Sequence, residues 1–360
     1  MSFLGIRPVK QGTSSNLQIV QFYRGIAVLL VVLFHGSEFI SPRYHLVPLG
    51  NMFKTGFSGV FLFFVISGFI ILTAHYRDGG RPRQIVYYLE RRIIRIYPFY
   101  WLVLMVWGGW RVFTDKLGLH ELSMNALLFE GTPSLIIPVS WTLRYEIIFY
   151  ALFVSFILNR KLGMLAFIGW FALQWIQPPA VFRWLVDPMN LLFIFGLISA
   201  RLYLKIRNWN DRYRNAVGAI SLILGSVGFI ATMYIYGHLD VDANAWPYHV
   251  VTIWGFGISS LLLMLATASR DINRHSGKLR FMNLIGDASY SIYLVHSPFG
   301  KLAWNLLRPL HPLWQGEPKV WMANLLLLWI TLAAISAGII IHLKIELPLL
   351  TLLRGKLTGR

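Results

Sequence analysis

The sequence predicts an all-α integral membrane protein, and three observations support that prediction. Of the 360 residues, 56% are apolar and 13% are charged, and the mean hydropathy is +0.58. A water-soluble domain carries nearer a quarter charged residues, so too little polar surface remains to cover a soluble body. The apolar residues also fall into segments of membrane-spanning length, and the lysines and arginines cluster in alternate connections between these segments.

A membrane-spanning helix needs about 20 mostly apolar residues. We predict a bundle of about ten transmembrane helices, at 17–40, 57–75, 93–113, 139–158, 162–177, 189–206, 215–236, 248–268, 286–307 and 320–345. The fifth segment is the shortest, and two prolines follow it directly. No small-x-small cleavage site follows the first segment, so we expect a retained helix there rather than a signal peptide. Residues 1–360 are expected to form a single transmembrane domain without an appended soluble domain.

The basic residues predict which helix ends face the cytoplasm. With the N-terminus inside, 22 of the 33 lysines and arginines fall in cytoplasmic segments and 7 in outside loops. Because positive charge accumulates on the cytoplasmic side of membrane proteins, this distribution predicts an N-in, C-in topology. Topology thus accounts for most of the formal charge of +18, and we expect no nucleic-acid partner.

The cysteine and histidine content excludes some chemistry. The chain has no cysteine, which removes disulfides, thiolate metal sites and a cysteine thioester intermediate. The ten histidines show no convincing ligand spacing, so we expect no bound metal.

The first predicted helix contains RGIAVLLVVLFHGSE, in which an apolar run is bracketed by Arg24, His35 and Glu38. Eleven residues separate Arg24 from His35, which places them on nearly the same helix face, roughly 16 Å apart along the axis. Glu38 lies one turn beyond His35, close enough to pair with it. Histidine suits proton transfer near neutral pH. The alternatives are that Arg24 reaches the inner headgroups and that His35 and Glu38 cap the outer end.

Two further segments place charged residues at the ends of predicted helices. SWTLRYEIIFY, residues 140–150, contains Glu146, which helical rise places at a depth similar to that of His35. Since an unpaired carboxylate in lipid is costly, Glu146 is expected to face the protein interior. The alternative for Glu146 is a structural role, with its carboxylate hydrogen-bonded to another helix. RRIIRIYP, residues 91–98, places Arg91, Arg92 and Arg95 at helical spacing, where two guanidinium groups share one face suited to phosphate oxygens. Topological anchoring is the alternative for these arginines.

Two motifs carry polar groups within predicted helices. In FFVISGF, residues 63–69, the small residues favour close helix packing. GDASYSIYLVHSPFG, residues 286–300, contains Tyr293 and His296, with His296 near the middle of the membrane. A structural histidine satisfied by a neighbouring helix is the alternative to a functional one here.

Five motifs in this order resemble the acyltransferase 3 family of membrane acyltransferases, and within it the bacterial exopolysaccharide O-acetyltransferases. They are R-x10-H in the first helix, FFVISGF, RRIIRIYPFYW, SWTLRYEIIFY and GDASYSIYLVH. The resemblance covers essentially the whole chain. It implies roles for Arg24 and His35 of R-x10-H, and for Arg92 and Arg95 as an R-x-x-R pair. Many relatives carry an additional hydrolase-like domain, which we do not expect here.

The resemblance implies transfer of an acyl group, usually acetyl, from cytoplasmic acetyl-CoA to a hydroxyl of a carbohydrate. The acceptor would be a polysaccharide or a lipid-linked glycan at or beyond the outer face of a bacterial inner membrane. Beyond the membrane lipids and this carbohydrate acceptor, the sequence indicates no partner.

Roles for the candidate residues follow as hypotheses. Arg91, Arg92 and Arg95 would hold the CoA phosphates, and Arg24 would anchor CoA or support the developing oxyanion. His35 would take the proton of the acceptor hydroxyl or be acylated itself.

The remaining candidates would act beside these residues. Glu38 or Glu146 would orient His35. Glu38, Trp141, Tyr293 and His296 are expected to contact the substrate.

Two other classes of protein remain open from the sequence. A proton-coupled transporter also places histidine, glutamate and arginine within its helices, although no internal repeat is evident here. A membrane glycan-binding or assembly subunit without catalysis is the third class.

Overall fold

The computed structural model describes residues 17–44, 48–114, 118–128, 135–174, 185–238, 250–307 and 320–358. All regular secondary structure within these ranges is helical. The α-helices are α1 Gln18–Tyr44, α2 Ser58–His75, α3 Ile85–Thr114, α4 Leu119–Ala126, α5 Trp141–Leu158, α6 Arg160–Leu173, α7 Leu191–Ile206, α8 Asp211–His238, α9 Val250–Leu265, α10 Arg270–Ser276, α11 Arg280–Asp287, α12 Ser289–Leu307, α13 Val320–Ile341 and α14 Leu347–Thr358. A π-helical turn, His342–Glu346, joins α13 to α14.

Within the described ranges, seven helical segments are long and apolar enough to cross a membrane, or eight if one bent pair counts as a span. The seven are Gln18–Ser41, Ser58–Asp78, Pro82–Val112, Pro138–Leu158, Pro188–Ile206, Asp211–His238 and Val320–Gly355. Each overlaps one of the ten predicted spans. The all-helical class is therefore confirmed, whereas the number ten is not, and the N-in, C-in orientation stays a prediction.

The three remaining predicted spans differ for separate physical reasons. In the span predicted at 162–177, helix α6 has only 14 residues, and residues 175–177 lie outside the described part of the chain. The span predicted at 248–268 forms the bent pair, with a bend of 96° where Thr252–Ala268 meets Arg270–Ser276. The span predicted at 286–307 contains α12, whose serine, tyrosine, histidine, asparagine and lysine side chains lower its hydropathy.

Helix α2 is the most buried of the seven segments and packs closely against α7. A Cβ atom on Gly68 would lie 2.2 Å from the carbonyl oxygen of Phe193, and one on Gly196 would lie 2.2 Å from that of Val65. No side chain fits at either glycine, so the two backbones touch, as small residues allow in membrane bundles. This contact confirms the packing role predicted for the glycine of FFVISGF.

Aromatic rings extend this packing from α7 to α2 and α5. Phe193 stacks on Phe64 of α2 at 4.5 Å between ring centroids and on Phe149 of α5 at 4.6 Å. All three phenylalanines are buried. The stack ties α2, α5 and α7 into one core.

Helix α1 is surrounded by protein along one full face. Its apolar run buries Ala27, Val28 and Val31 completely, and it packs against α2, α11, α12 and α13. The apolar run therefore contributes to the protein core as well as to the hydrophobic thickness. Arg24 and His35, which bracket this run, consequently face a neighbouring helix.

Candidate active site

A cavity of about 530 Å³ opens among α1, α2, α3, α5, α12 and α14. We call it the arginine cavity, defined by the five arginines that line it: Arg24, Arg91, Arg92, Arg95 and Arg354. It extends from the start of α1 and the end of α2, the side predicted to be cytoplasmic, towards the middle of the bundle. The structure thus brings together Arg24 and all three arginines of RRIIRIYP, which are 67 or more residues away in sequence.

Tyrosine rings hold the arginines of α3 in the cavity wall. The guanidinium carbon of Arg92 lies 5.8 Å from the ring centroid of Tyr88 and 5.6 Å from that of Tyr150. Such cation–π contacts fix the group without using its N–H donors. The buried Nε of Arg92 has no hydrogen-bond partner among the described residues. The N–H donors of the Arg92 guanidinium group are therefore available to an anion in the cavity.

Arg95 is held by a carboxylate as well as by a ring. Its Nη1 lies 3.1 Å from Oε1 of Glu346, and its guanidinium carbon lies 5.2 Å from the ring centroid of Tyr290. Glu346 is fully buried, and its Oε2 accepts a hydrogen bond of 2.7 Å from Ser291 Oγ and lies 2.7 Å from His342 Nδ1. This carboxylate fixes the position of Arg95.

Sequence reasoning missed Glu346 because the last predicted span ended at residue 345. One signal was present: IIIHLKIELPLL, residues 339–350, places an acidic residue, together with a histidine and a lysine, inside a mainly apolar run. Glu346 ends the π-helical turn, a feature that occurs frequently at functional sites.

Arg24 and His35 both contact α12, as their predicted common face requires. Arg24 Nη2 donates to Ser289 Oγ at 2.8 Å, and its Nη1 donates to Gln21 Oε1 at 2.9 Å. His35 stacks on His296, with 5.2 Å between ring centroids. The earlier residue of α1 meets the earlier residue of α12, and the later residue meets the later one. The helices α1 and α12 therefore run parallel.

His296 is buried, and its tautomer follows from its contacts. Its Nδ1 lies 2.7 Å from the carbonyl oxygen of Tyr293. Since a carbonyl only accepts, Nδ1 carries the proton and the neutral ring presents a lone pair at Nε2. That Nε2 has no hydrogen-bond partner among the residues that the structure describes. The pair of His35 and His296, which we call the histidine pair, therefore offers an unused basic nitrogen.

Tyr293 connects the histidine pair to the arginine cavity. Its ring lines the cavity, and its centroid lies 6.0 Å from that of His296. Neither histidine lines the cavity directly. Tyr293 therefore separates the inner end of the arginine cavity from the histidine pair and contacts both.

Glu146 faces the interior as predicted, but its contacts differ from those expected. It lines the arginine cavity, where its Oε1 accepts hydrogen bonds from Tyr150 and, at 3.4 Å, from Ser67. His35 contacts Phe34 and His296 instead. The expectation that Glu146 orients His35 is therefore not met, because the helix packing turns Glu146 towards the arginines.

Two other predicted site residues lie away from the cavity. Glu38 is exposed, and among the described residues it makes no ion pair or hydrogen bond with His35. Its exposure fits a surface position in the last turns of α1 better than a partner for His35. Trp141 is half-buried and packs edge-on against Tyr145, with 5.7 Å between ring centroids. Tyr293 and His296 lie at the positions described above.

Comparison with known proteins identifies the fold family. Residues 19–343 match the model of the acyltransferase 3 family, described as an acyltransferase domain. The chain is 31% identical over 283 residues to the exopolysaccharide production protein ExoZ of Rhizobium meliloti (strain 1021), covering 74% of this chain and 80% of that protein. No solved structure matches the chain. With a family match over nearly its whole length and several membrane-spanning helices, the chain belongs to the acyltransferase 3 family of membrane acyltransferases.

Proposed function

We propose that this protein moves an acyl group, acetyl in the first instance, from cytoplasmic acyl-CoA to a hydroxyl of a carbohydrate in the extracytoplasmic space or at the membrane of a bacterium. The observation that carries the proposal is the arginine cavity, which approaches the histidine pair through Tyr293. A relative is described as acting in exopolysaccharide production, which supports an exopolysaccharide or similar glycan as the acceptor.

The arginines suit the phosphates of acyl-CoA. Arg92 and Arg95 are oriented by rings and by Glu346, so little side-chain entropy is lost when an anion binds. Arg91 also lines the cavity, and its guanidinium carbon lies 5.0 Å from the ring centroid of Tyr87. Charge-assisted hydrogen bonds from several guanidinium groups are the strong kind of phosphate contact.

Distance supports one of the two roles considered for Arg24. Eleven helical residues separate it from His35, roughly 16 Å along α1. An oxyanion donor must lie about 3 Å from the reacting oxygen. Arg24 therefore anchors the donor, and it does not share a reacting carbonyl with His35.

His35 is the proposed general base. Its imidazole accepts the proton of the acceptor hydroxyl as the new C–O bond forms and the thioester C–S bond breaks, and that proton then neutralises the leaving thiolate. His296 fixes the ring of His35 by stacking on it. A short-lived acyl group on His35 is the alternative route, in which the same C–S bond breaks first.

One experiment tests this function directly. Purified protein in lipid vesicles is given radiolabelled acetyl-CoA and a glycan fraction, and label is measured in the glycan. We expect label to transfer to the glycan in the presence of the protein. A lack of transfer, together with solute uptake that needs no acetyl-CoA, would instead favour the transporter.

A further inference from the structure

Glu146 is a carboxylate inside the arginine cavity that no arginine holds. It lines the cavity and is half-buried. Its Oε1 accepts the hydrogen bonds of the Tyr150 and Ser67 hydroxyls, which orient the group. Among the described residues, Glu146 forms no ion pair, and its Oε2 accepts no hydrogen bond. Because a carboxylate accepts about four hydrogen bonds, acceptor positions remain for a ligand that carries an N–H or O–H group.

Helix α5 gives the depth of Glu146 within the cavity. Thr142, Glu146 and Tyr150 all line the cavity and are four residues apart, which places them about 6 Å apart along the helix axis. The ring of Tyr150 contacts the guanidinium group of Arg92. At the other end, Thr142 Oγ1 lies 3.1 Å from the hydroxyl of Tyr293. Glu146 therefore lies about one helical turn from each of these contacts.

Helix α2 gives the same order independently. Phe63 packs edge-on against Tyr293, with 6.1 Å between ring centroids. One turn further along α2, Ser67 donates to Glu146 Oε1 at 3.4 Å. Both α2 residues line the arginine cavity. Two helices thus place the Glu146 carboxylate between the arginines of α3 and the end of the cavity at Tyr293.

We propose that Glu146 binds the pantetheine arm of acyl-CoA by accepting a hydrogen bond from the amide N–H nearer to the sulfur. This inference rests on the function proposed above, in which the phosphates lie at the arginines and the thioester lies at Tyr293, next to the histidine pair. The arm between them is uncharged and carries two amide N–H groups. Only two methylene carbons separate the sulfur from the nearer amide nitrogen, a span shorter than one helical turn of about 5.4 Å. A thioester at Tyr293 therefore brings this N–H within reach of Glu146.

The charge of Glu146 suits the arm and no other part of the donor. A carboxylate repels the phosphates, whereas a hydrogen bond from an amide N–H to an ionised acceptor is stronger than one between neutral groups. Since Tyr150 and Ser67 already orient the carboxylate, little side-chain entropy is lost on binding. Glu146 therefore selects a thioester carried on an amide-containing arm and sets how far that arm enters the bundle.

A purely structural role for Glu146 is the competing interpretation. Glu146 holds the hydroxyl of Tyr150, and the ring of Tyr150 contacts Arg92. If Glu146 acted only through this contact, its loss would weaken binding of the phosphates. A direct contact with the arm instead predicts a dependence on one amide hydrogen of the ligand.

The test replaces single amide hydrogens of the ligand. The full-length protein in lipid nanodiscs is titrated with acetyl-CoA and with two analogues, each of which has one amide N–H of the arm replaced by an ester oxygen. Replacing the amide nearer to the sulfur should weaken binding about tenfold, because a hydrogen bond to a charged group is lost. Replacing the other amide should weaken it by at most about twofold, since that amide makes no such bond.

The variant Glu146→Gln keeps the size of the side chain and removes its charge. It should bind acetyl-CoA about tenfold more weakly, and the nearer replacement should then cost only about twofold. The part of CoA without the arm, 3′-phospho-ADP, should bind to this variant and to the unchanged protein equally. Glu121→Gln changes a half-buried carboxylate outside the cavity and is the matched control. It should distinguish the three ligands as the unchanged protein does.

Three outcomes would overturn the inference. The first is equal affinity of the unchanged protein for acetyl-CoA and the nearer-amide analogue. The second is an equal penalty for that analogue in Glu146→Gln and in the unchanged protein. The third is an equal loss of 3′-phospho-ADP and acetyl-CoA binding in the variant, which would assign Glu146 to the support of Arg92. If acetyl-CoA does not bind to the unchanged protein at all, the proposed function fails instead.

Discussion

The arginine cavity and the histidine pair differ in what holds their polar side chains in place. In the cavity, Arg95 is held by a buried carboxylate and a ring, and Arg92 lies between two rings. In the histidine pair, the two imidazoles stack on each other, and His296 Nε2 has no hydrogen-bond partner among the described residues. In terms of the proposed function, the difference corresponds to a donor site that is arranged before binding and a reacting site that the acceptor completes.

The largest expected effect follows from removing the proposed base. His35→Ala should lower acyl transfer by about 10³-fold, because general-base catalysis contributes 10²–10⁴-fold. Acyl-CoA affinity should stay within about twofold of its original value, since His35 does not line the arginine cavity. Transfer and binding are measured on the same preparation. His275→Ala, at an exposed position, is the control, and equal transfer by His35→Ala and this control would contradict the assignment.

The second largest expected effect is a loss of affinity for acyl-CoA. Arg92→Gln combined with Arg95→Gln should weaken acyl-CoA binding by about 100-fold, because each charge-assisted hydrogen bond contributes about 1.5–3 kcal/mol. Equilibrium binding to the detergent-solubilised protein measures it. Arg212→Gln removes an exposed arginine outside the cavity and should leave the affinity unchanged. If the double variant binds acyl-CoA as tightly as the Arg212→Gln control, Arg92 and Arg95 serve only as topology signals.

A smaller effect tests whether the carboxylate acts through Arg95. Glu346→Gln should raise the KM for acyl-CoA about tenfold with little change in kcat, because Arg95 is no longer fixed while the histidine pair is untouched. It should also cost about 3 kcal/mol of stability, the low end for breaking a buried ion pair, since Arg95 partly faces the cavity. Lys344→Gln, at an exposed position in the same turn, is the control. A fall in kcat alone would argue against a positioning role.

The smallest effect concerns the hydroxyl of Tyr293, in the wall of the arginine cavity. Tyr293→Phe removes a hydroxyl that contacts Thr142 and Val139. We expect a loss of about 1 kcal/mol in stability, typical of one hydrogen bond, and only a few-fold change in transfer. Thermal unfolding and initial rates measure the two quantities. A loss of transfer as large as that of His35→Ala would mean that the Tyr293 hydroxyl itself takes part in the chemistry.

Local periodicity accounts for the parts of the site that the sequence predicted. The helical spacing of Arg91, Arg92 and Arg95 was enough to place them on one wall, and the eleven-residue spacing of Arg24 and His35 was enough to direct both towards one neighbour. These relations depend on the geometry of a single helix.

Relations between distant segments were beyond such reasoning. Glu346 pairs with a residue 251 positions away, and the stacking of His35 on His296 depends on how α1 and α12 pack. Depth alone suggested that Glu146 lies near His35, but the rotation of α5 about its axis is set by its neighbours and turns Glu146 to the arginines. The predicted span at 248–268 stays unconfirmed, because Ser269 leaves helical geometry and caps α10, and the chain bends by 96° there.

The π-helical turn at His342–Glu346 sets the direction in which α14 faces. Such a turn holds one residue more than a regular α-helical turn. If the same residues formed a regular α-helix, all of α14 would be rotated by about 100°. Arg354 would then point away from the cavity that it now lines. A substitution that drives this turn into regular α-helical geometry should therefore remove a positive charge from the cavity wall without changing any residue of that wall.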